Sequence, residues 1–454
     1  MPAREASLRK SGKYRFKGLS GPAITRPANL KELMECLDPL SRFSAPFRPM
    51  GANSASTDCN ASSAGTVIDM TGMNKIINID AYNDTVKVQA GVRLGVLAEK
   101  LAKQGLELAG SHDLMERTVG GAIAGGCVGP SIADDGAFFA SQAIALKIVT
   151  ANGKISNVVD DETKLLHAFR LSYGMLGVIF EVTLKVRPVR SFVATHRRCT
   201  IKQFAAAAET LSKTDIGVKF YLMPFRDRVY LDLRRYSPEA RATRKIPWKL
   251  KDWGESTVLP HIFKSISRIV PVSGMRYRII DEVSKATQGI VNNRMVNSGS
   301  NTTANSGKPG RDRSKPLQYS TWLFPAADFA IVVQTYCDFC LRIQKENRFR
   351  CDMPTVGFRL SRDQSALLSP SFDEPMFALR AVTTQTRGWE DFAIDFADFA
   401  EHWGGYAFFN QTRGVSIDHA ASVFDKRATC FRKIRRQLDP ENRMMNPFLS
   451  QYFL

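Results

Sequence analysis

Two short glycine-rich stretches carry the residue types from which a phosphate cradle is built. The first reads RPMGANSASTDCN from Arg48, and the second reads ERTVGGAIAGGCVGP from Glu116. Glycine has no Cβ, so its backbone can adopt φ > 0 and bring N–H groups close to a pyrophosphate. Either stretch alone is a weak signal, because a tight turn with no ligand uses the same residues. Two in one chain, each set between apolar strand-like runs, point to backbone amides threaded around one large phosphate-bearing cofactor.

Such loops need a scaffold, and the flanking sequence supplies one. TVIDMTGMNKIINIDAYNDTVKVQAGV combines short β-branched runs, Asp/Asn/Gly turns and alternation, the pattern of a small sheet. VRLGVLAEKLAKQG has apolar residues at helical spacing and ends at Gly105, a C-cap. ASQAIALKIVTANGKI reads as a hairpin turning at Asn152-Gly153. TKLLHAFRLSYGMLG predicts a helix that stops at Gly174 or Gly177, before the apolar strand VIFEVTLKV. Farther on, KFYLMPFRDRVYLDLRRY, YSTWLFPAADFAIVVQTY, TVGFRLSRDQSALLSPSF and EPMFALRAVTT read as strands bearing one helix. The class is α+β. Alternating βαβ units with G-x-G-x-x-G are missing, which disfavours a Rossmann reading.

The stretch from about Arg26 to Pro188 resembles the PCMH-type FAD-binding domain of the vanillyl-alcohol-oxidase superfamily. Within it, the nearest likeness is to the branch of aldonolactone oxidases, alditol oxidases and decaprenylphosphoryl-ribose oxidases. Four segments carry it: the first loop Gly51 to Ser54, GTVIDMTGMNKIINID, the second loop Thr118 to Gly129, and LSYGMLGVIFEVTLKVRP. HWGG at His402 to Gly405 and FRKIRRQLDPENRMMNPFL from Phe431 extend it to the C-terminal region, across a divergent middle. The resemblance implies a two-subdomain FAD-binding domain and a substrate domain built on an antiparallel sheet with flanking helices. It implies FAD held by backbone amides at Gly51, Ala52, Asn53, Ser54 and Ala55, and at Thr118, Val119, Gly120, Gly121, Ala122, Gly125 and Gly129, with Gly110 and Ser111 between. Val178 and Ile179 match the segment whose backbone holds the adenine edge. Asn446 stands either against the flavin domain or ring edge, or in a turn before Pro447.

Departures from the pattern are informative. Many relatives carry a first-loop histidine bonded to the flavin; here Ser54 stands in that place, so the FAD is expected to be non-covalent. Cys127, the other nearby nucleophile, reads as a small buried residue rather than an anchor. Alditol oxidases place a Glu-x-Arg on a substrate-domain strand and a lysine after HWG. This chain has Gly357-Phe358-Arg359 and Gly405 there, which breaks the polyol-recognising set and opens room beside the flavin.

By motif position, Arg359, His402, Trp403, Tyr406 and Asn410 stand near the ring. Of these, Arg359, His402 and Tyr406, with His112 in the loop GSHDLMERTVGG, are the catalytic candidates. Histidine suits the base that takes an alcohol proton, and arginine can stabilise charge on reduced flavin or orient an anionic substrate. Each has a bland alternative: His402 can buttress a turn, and Arg359 can pair with Asp363.

At 454 residues the chain is long enough for two or three domains. The expected organisation is a basic tail at 1–17, an FAD domain at 18–190, a substrate domain at 191–409 and a closing segment at 410–454 that returns to the FAD domain. The tail reads as a disordered terminus, with a mitochondrial leader as the alternative. Eight scattered cysteines have no framework spacing, which predicts reduced thiols; the lone CxxC at Cys337 and Cys340 lies in a helical apolar pattern, and no metal site is expected. No apolar run is long enough to span a membrane and no secretory h-region precedes the fold, so a cytoplasmic protein is expected.

The net charge is +19, and from Arg234 to Lys315 there are 17 Lys and Arg against 6 Asp and Glu. This insertion, about 236–316, reads either as a solvated basic face or as a contact for an anionic substrate or a peripheral membrane surface. No nucleic-acid motif accompanies it. The leading expectation is an FAD-dependent oxidoreductase removing a hydride from a C–OH carbon of a sugar-like, polyol-like or lipid-linked alcohol. The alternatives are a flavin enzyme acting on a C–C or C=C bond of a lipid or secondary metabolite, and a non-catalytic binding protein on the same fold.

Overall fold

In the computed structural model, the described residues are 14–16, 22–61, 64–109, 115–133, 135–159, 164–237, 273–290, 295–298 and 317–454. Gly110, Ser111, His112, most of the basic insertion and most of the N-terminal tail lie outside them.

Three sheets organise the chain. The first is four-stranded, in the order Tyr14–Phe16, Ala23–Thr25, Thr66–Asp69, Phe47–Met50, with the last three strands parallel. The second is antiparallel and runs Ile76–Asp80, Thr85–Gln89, Val178–Pro188, Ala143–Val149, Ile155–Val159, with Leu106–Leu108 pairing on the end of the long central strand. The first loop leaves the end of the strand Phe47–Met50. The second glycine-rich segment lies against the second sheet, Val119 N–H donating to Val92 O and Gly120 N–H to Ala90 O, both at 2.8 Å.

The third sheet has eight antiparallel strands, ordered Met295–Ser298, Ser191–Cys199, Arg228–Tyr236, Gly217–Met223, Thr355–Leu360, Met376–Thr383, Gln318–Pro325, Tyr406–Ala407. Its two faces differ, because successive strand residues point to opposite sides. One face is covered by the helices Ile201–Ser212, Phe329–Asn347 and Trp389–His402. Rings interlock there, Phe204 with Phe220 at 4.7 Å and Phe329 stacked on Phe377 at 4.4 Å. The other face carries Tyr319, Thr321, Val356, Phe358 and Arg380.

Several local expectations can be compared directly. The hairpin at Asn152-Gly153 forms, with Gly153 at φ +78, and the helix Leu94–Ala102 is followed by Gly105 at φ +72. The helix expected to run to Gly174 or Gly177 stops at Phe169 instead. Beyond it Leu171, Tyr173, Gly174 and Gly177 all take positive φ, which no helix tolerates, and the segment becomes a loop. The middle of the chain bears three covering helices where the sequence patterns suggested one.

The closing segment contacts the first sheet. Phe47 N–H donates to Arg443 O at 2.7 Å, and the Arg443 guanidinium reaches Leu37 O and Ala151 O. Asn446 caps the last helix, Pro447–Phe453, by accepting Leu449 N–H.

Candidate active site

Between the first loop and the second glycine-rich segment lies a cleft whose empty space, open solvent included, is about 820 Å³. It is lined by the first loop from Pro49 to Ala55, by Thr118, Gly120, Gly121 and Gly125, by Ser172 to Gly174, and by Ile179 and Asn410.

The first loop is held from behind by one side chain. Arg48 is buried, with 1% of its surface exposed, and donates to four carbonyls: Cys59 O at 2.7 Å, Met444 O at 2.5 Å, Gly174 O at 3.3 Å and Tyr173 O. Burial without a carboxylate partner brings its pKa down to about 10. Asn446 adds a second tie, its Nδ2 donating to Asp58 O at 2.8 Å and Ala61 O at 2.7 Å. Asn446 therefore secures the tail of the first loop and does not line the cleft.

The two walls use their backbones differently. Asn53 sits at φ 52, and the N–H groups of Asn53, Ser54 and Ala55 meet no acceptor among the described residues, so this turn is an open anion nest. In the second segment the N–H groups of Val119, Gly120 and Gly121 are committed to Val92 O, Ala90 O and Thr118 Oγ1. These three amides are satisfied within the protein. What the second segment offers is bare surface: a Cβ on Gly51 would lie 2.0 Å from Thr118 Oγ1, so the two walls touch only because residue 51 has no side chain.

Placement of the remaining expected residues is mixed. Gly51, Ala52, Asn53, Ser54, Ala55, Thr118, Gly120, Gly121, Gly125 and Ile179 line the cleft. Val119, Ala122 and Val178 are fully buried core residues, and Gly129 is also absent from the lining. Cys127 is fully buried and forms no disulfide.

The three described catalytic candidates all lie away from the lining. His402 is the exposed last residue of the helix Trp389–His402, on the covered side of the large sheet. Arg359 shares its face of the strand with Gly357, whose Cβ would strike the Phe220 ring. It donates to Ser212 O at 2.9 Å at the end of a covering helix. It is not paired with Asp363, which instead accepts the N–H groups of Ala137 and Phe138. Tyr406 packs edge-on against Phe424 at the sheet margin.

Sequence reasoning missed Arg117, Tyr173, Arg380 and Tyr319. Arg117 is 2% exposed and lines the cleft. Its Nη1 donates to Gly126 O, while Nε and Nη2 have no partner. Asn410, 6% exposed, likewise keeps Oδ1 unpartnered. Tyr173, on the loop misread as helix, stays protonated because burial pushes its hydroxyl far above the usual tyrosine range. Arg380 lies on the open face of the large sheet and donates to Thr321 Oγ1 at 3.0 Å and Gln411 Oε1 at 3.1 Å; Gln411 in turn reaches Gly126 O at 3.4 Å. Tyr319 hydroxyl donates to Ser54 O at 2.9 Å. These links seat the sheet on both glycine segments. No group of three His, Cys, Asp or Glu placed to hold a metal exists among the described residues.

Comparison with known proteins agrees with this geometry. A family described as FAD binding domain matches residues 22–158. L-gulono-1,4-lactone dehydrogenase of Mycobacterium tuberculosis is 29% identical over 212 residues, 45% of this chain and 47% of that protein. L-gulonolactone oxidase of Bos taurus is 28% identical over 221 residues, 48% and 50% of the two chains. This chain thus spans about half the length of the curated relatives it matches. Cholesterol oxidase from Brevibacterium sterolicum superposes with a TM-score of 0.75 over 95% of this chain and 94% of that one, at 14% identity. At that identity the superposition shows a shared fold. Residues 22–158 are an FAD-binding domain.

FAD fits the cleft on the structure's own terms. The first loop has open N–H groups for phosphate oxygens, the glycines of the facing wall leave room for close approach, and the buried side chains Arg117, Tyr173 and Asn410 line the space with polar atoms that have no partner. A ligand in the cleft would satisfy them.

Proposed function

We propose that this protein is an FAD-dependent oxidoreductase acting on the C–OH carbon of a sugar-like, polyol-like or lipid-linked alcohol, with the FAD held non-covalently. The observation that carries it is the juxtaposition of the FAD-binding cleft with the Arg380-bearing face of the large sheet, joined through Tyr319, Gln411 and Arg380. Bound FAD supplies a two-electron acceptor for the substrate hydride. Activities named for the relatives, on lactones and a sterol, are consistent with a small-molecule donor of this kind.

The chain's own residues divide the remaining work. Ser54 and its neighbours hold phosphate, and Arg380, fixed by Thr321 and Gln411, orients the substrate with a cation. Among the described residues, the ionisable side chains lining the cleft are Arg117, Cys59 and Tyr173. Burial raises both the Cys59 thiol and the Tyr173 hydroxyl, so neither is a base near neutral pH. We therefore assign the base to His112 from its place in the sequence. The same raised thiol favours non-covalent attachment, because the thiolate is the nucleophile.

The surplus of cations in the insertion supports contact with an anionic substrate or lipid surface. Its described helix, Ser273–Ile290, exposes Met275 and Ile279. No helix among the described residues is long and apolar enough to cross a membrane.

The test is anaerobic bleaching of the bound flavin by a panel of sugar, polyol and lipid alcohols. Bleaching by one class, with His112→Ala losing the neutral-pH limb of the rate profile, is the expected result. A flavin that none of them reduces, but that enones reoxidise once it has been reduced with dithionite, would overturn the reading.

A further inference from the structure

We propose that Arg117 and Asn410 together read the imide edge of the bound flavin, Arg117 donating to a ring carbonyl and Asn410 accepting from the ring N–H beside it. This rests on the FAD-dependent reading above and names how the chain orients and tunes that cofactor.

Both side chains are more than nine-tenths buried and both line the cleft. Arg117 spends only Nη1 on the protein, on Gly126 O at 2.5 Å, leaving the donors of Nε and Nη2 unused; Asn410 leaves the acceptor Oδ1 unused. The two flank one pair of glycines. Arg117 holds the carbonyl of Gly126, and a Cβ on Gly125 would come within 3.0 Å of Asn410 Nδ2. Leaving a buried donor and a buried acceptor unpaired costs ~1–3 kcal/mol each, and a ligand that presents both an acceptor and a donor here removes that cost.

That complementarity sorts the parts of FAD. A phosphate has only acceptor oxygens and would leave Asn410 Oδ1 unpaired, and the open nest for phosphate is across the cleft at Asn53 to Ala55. The flavin imide offers O=C–N–H in one plane, and two glycines without side chains leave space for a flat edge. The adenine edge has a similar donor and acceptor, but it gains no charge when FAD is reduced. A cation fixed beside a ring carbonyl favours the form that carries more negative charge, so Arg117 makes the flavin a stronger electron acceptor.

The proposal separates cleanly from the functional reading it rests on. FAD and 3-methyl-FAD, whose imide N–H is blocked, are titrated into the unmodified protein, and midpoint potentials are measured for the wild type, Arg117→Met, Arg117→Lys and Asn410→Leu. The expected result is ~tenfold or greater weakening for 3-methyl-FAD on the wild type and no such discrimination by Asn410→Leu. Arg117→Met should lose tenfold in its preference for reduced over oxidised flavin, about 30 mV for a two-electron couple, and Arg117→Lys should recover most of the potential. Equal binding of FAD and 3-methyl-FAD by the wild type overturns the proposal, and that arm needs no variant to fold. An unchanged potential in Arg117→Met, even with weakened binding, also overturns it and moves the contact to the adenine end. A wild type that binds no FAD at all defeats the functional reading first.

Discussion

Replacing Arg48 with methionine tests how the cleft is held open. The guanidinium ties together carbonyls from three distant segments, at Cys59, at Tyr173 and Gly174, and at Met444. A methionine stem fills comparable space but donates nothing, leaving the oxygens of Tyr173, Gly174 and Met444 unpaired at ~1–3 kcal/mol each, while Cys59 O keeps Asn446 Nδ2 at 3.4 Å. Against this, the variant no longer buries a charge. Burial brings the Arg48 pKa down to about 10, a cost on the order of 3 kcal/mol. The carbonyl cost exceeds that relief from the middle of its range upward. Because the released segments are cleft walls, FAD affinity should fall together with melting temperature. Arg48→Lys, which keeps a charge and three donors, should recover part of both. Thermal melts with and without FAD, paired with fluorescence titration of FAD, give the two quantities. An Arg48→Met protein that melts and binds FAD like the wild type would refute the idea that this side chain holds the cleft.

Other predictions follow from single contacts. Gly51→Ala must displace Thr118 Oγ1, which would lie 2.0 Å from the new Cβ. A strain of ~1–3 kcal/mol should lower the FAD content of the purified protein, read from its absorbance ratio. Alkylation followed by peptide mass spectrometry should modify exposed Cys430 first and reach Cys59, whose thiol burial pushes up, only after FAD is removed. Burial also raises the Asp439 carboxyl, even though Arg443 N–H and Met444 N–H both donate to it. The folded chain therefore binds that proton more readily than the unfolded chain does. Its contribution to stability is largest below the unfolded pKa and is lost as the pH rises through the folded value. Denaturation measured across the mildly acidic range should show this slope, and Asp439→Asn should flatten it.

The loops and the α+β class were legible because glycine spacing, turn residues and strand alternation are local properties. What failed was orientation. Arg359 is correctly placed on a strand, but which face it occupies depends on pairing register with its neighbours, and a one-residue difference sends a side chain to the opposite face. That register puts Arg380 on the open face and Arg359 beneath a helix end. His402 ended a helix whose apolar stripe packs against the sheet, leaving the histidine outside. The loop at Tyr173 looked helical because its apolar spacing fits a helix, while the positive φ values that break it leave little trace in residue type outside Gly174 and Gly177. Arg117 left one usable signal, a cation set directly before a glycine-rich segment. Arg48 left none, because its partners are carbonyls contributed by residues as distant as Met444.

The most direct test of the account is an absorbance scan of the purified protein from the near ultraviolet into the visible, repeated on the supernatant after acid precipitation. The account predicts flavin bands that pass fully into the supernatant, meaning FAD bound in the cleft without a covalent tie at Ser54, Cys59 or Cys127. Flavin retained in the pellet would contradict the non-covalent assignment, and protein that takes up no flavin even when FAD is supplied would contradict the whole reading.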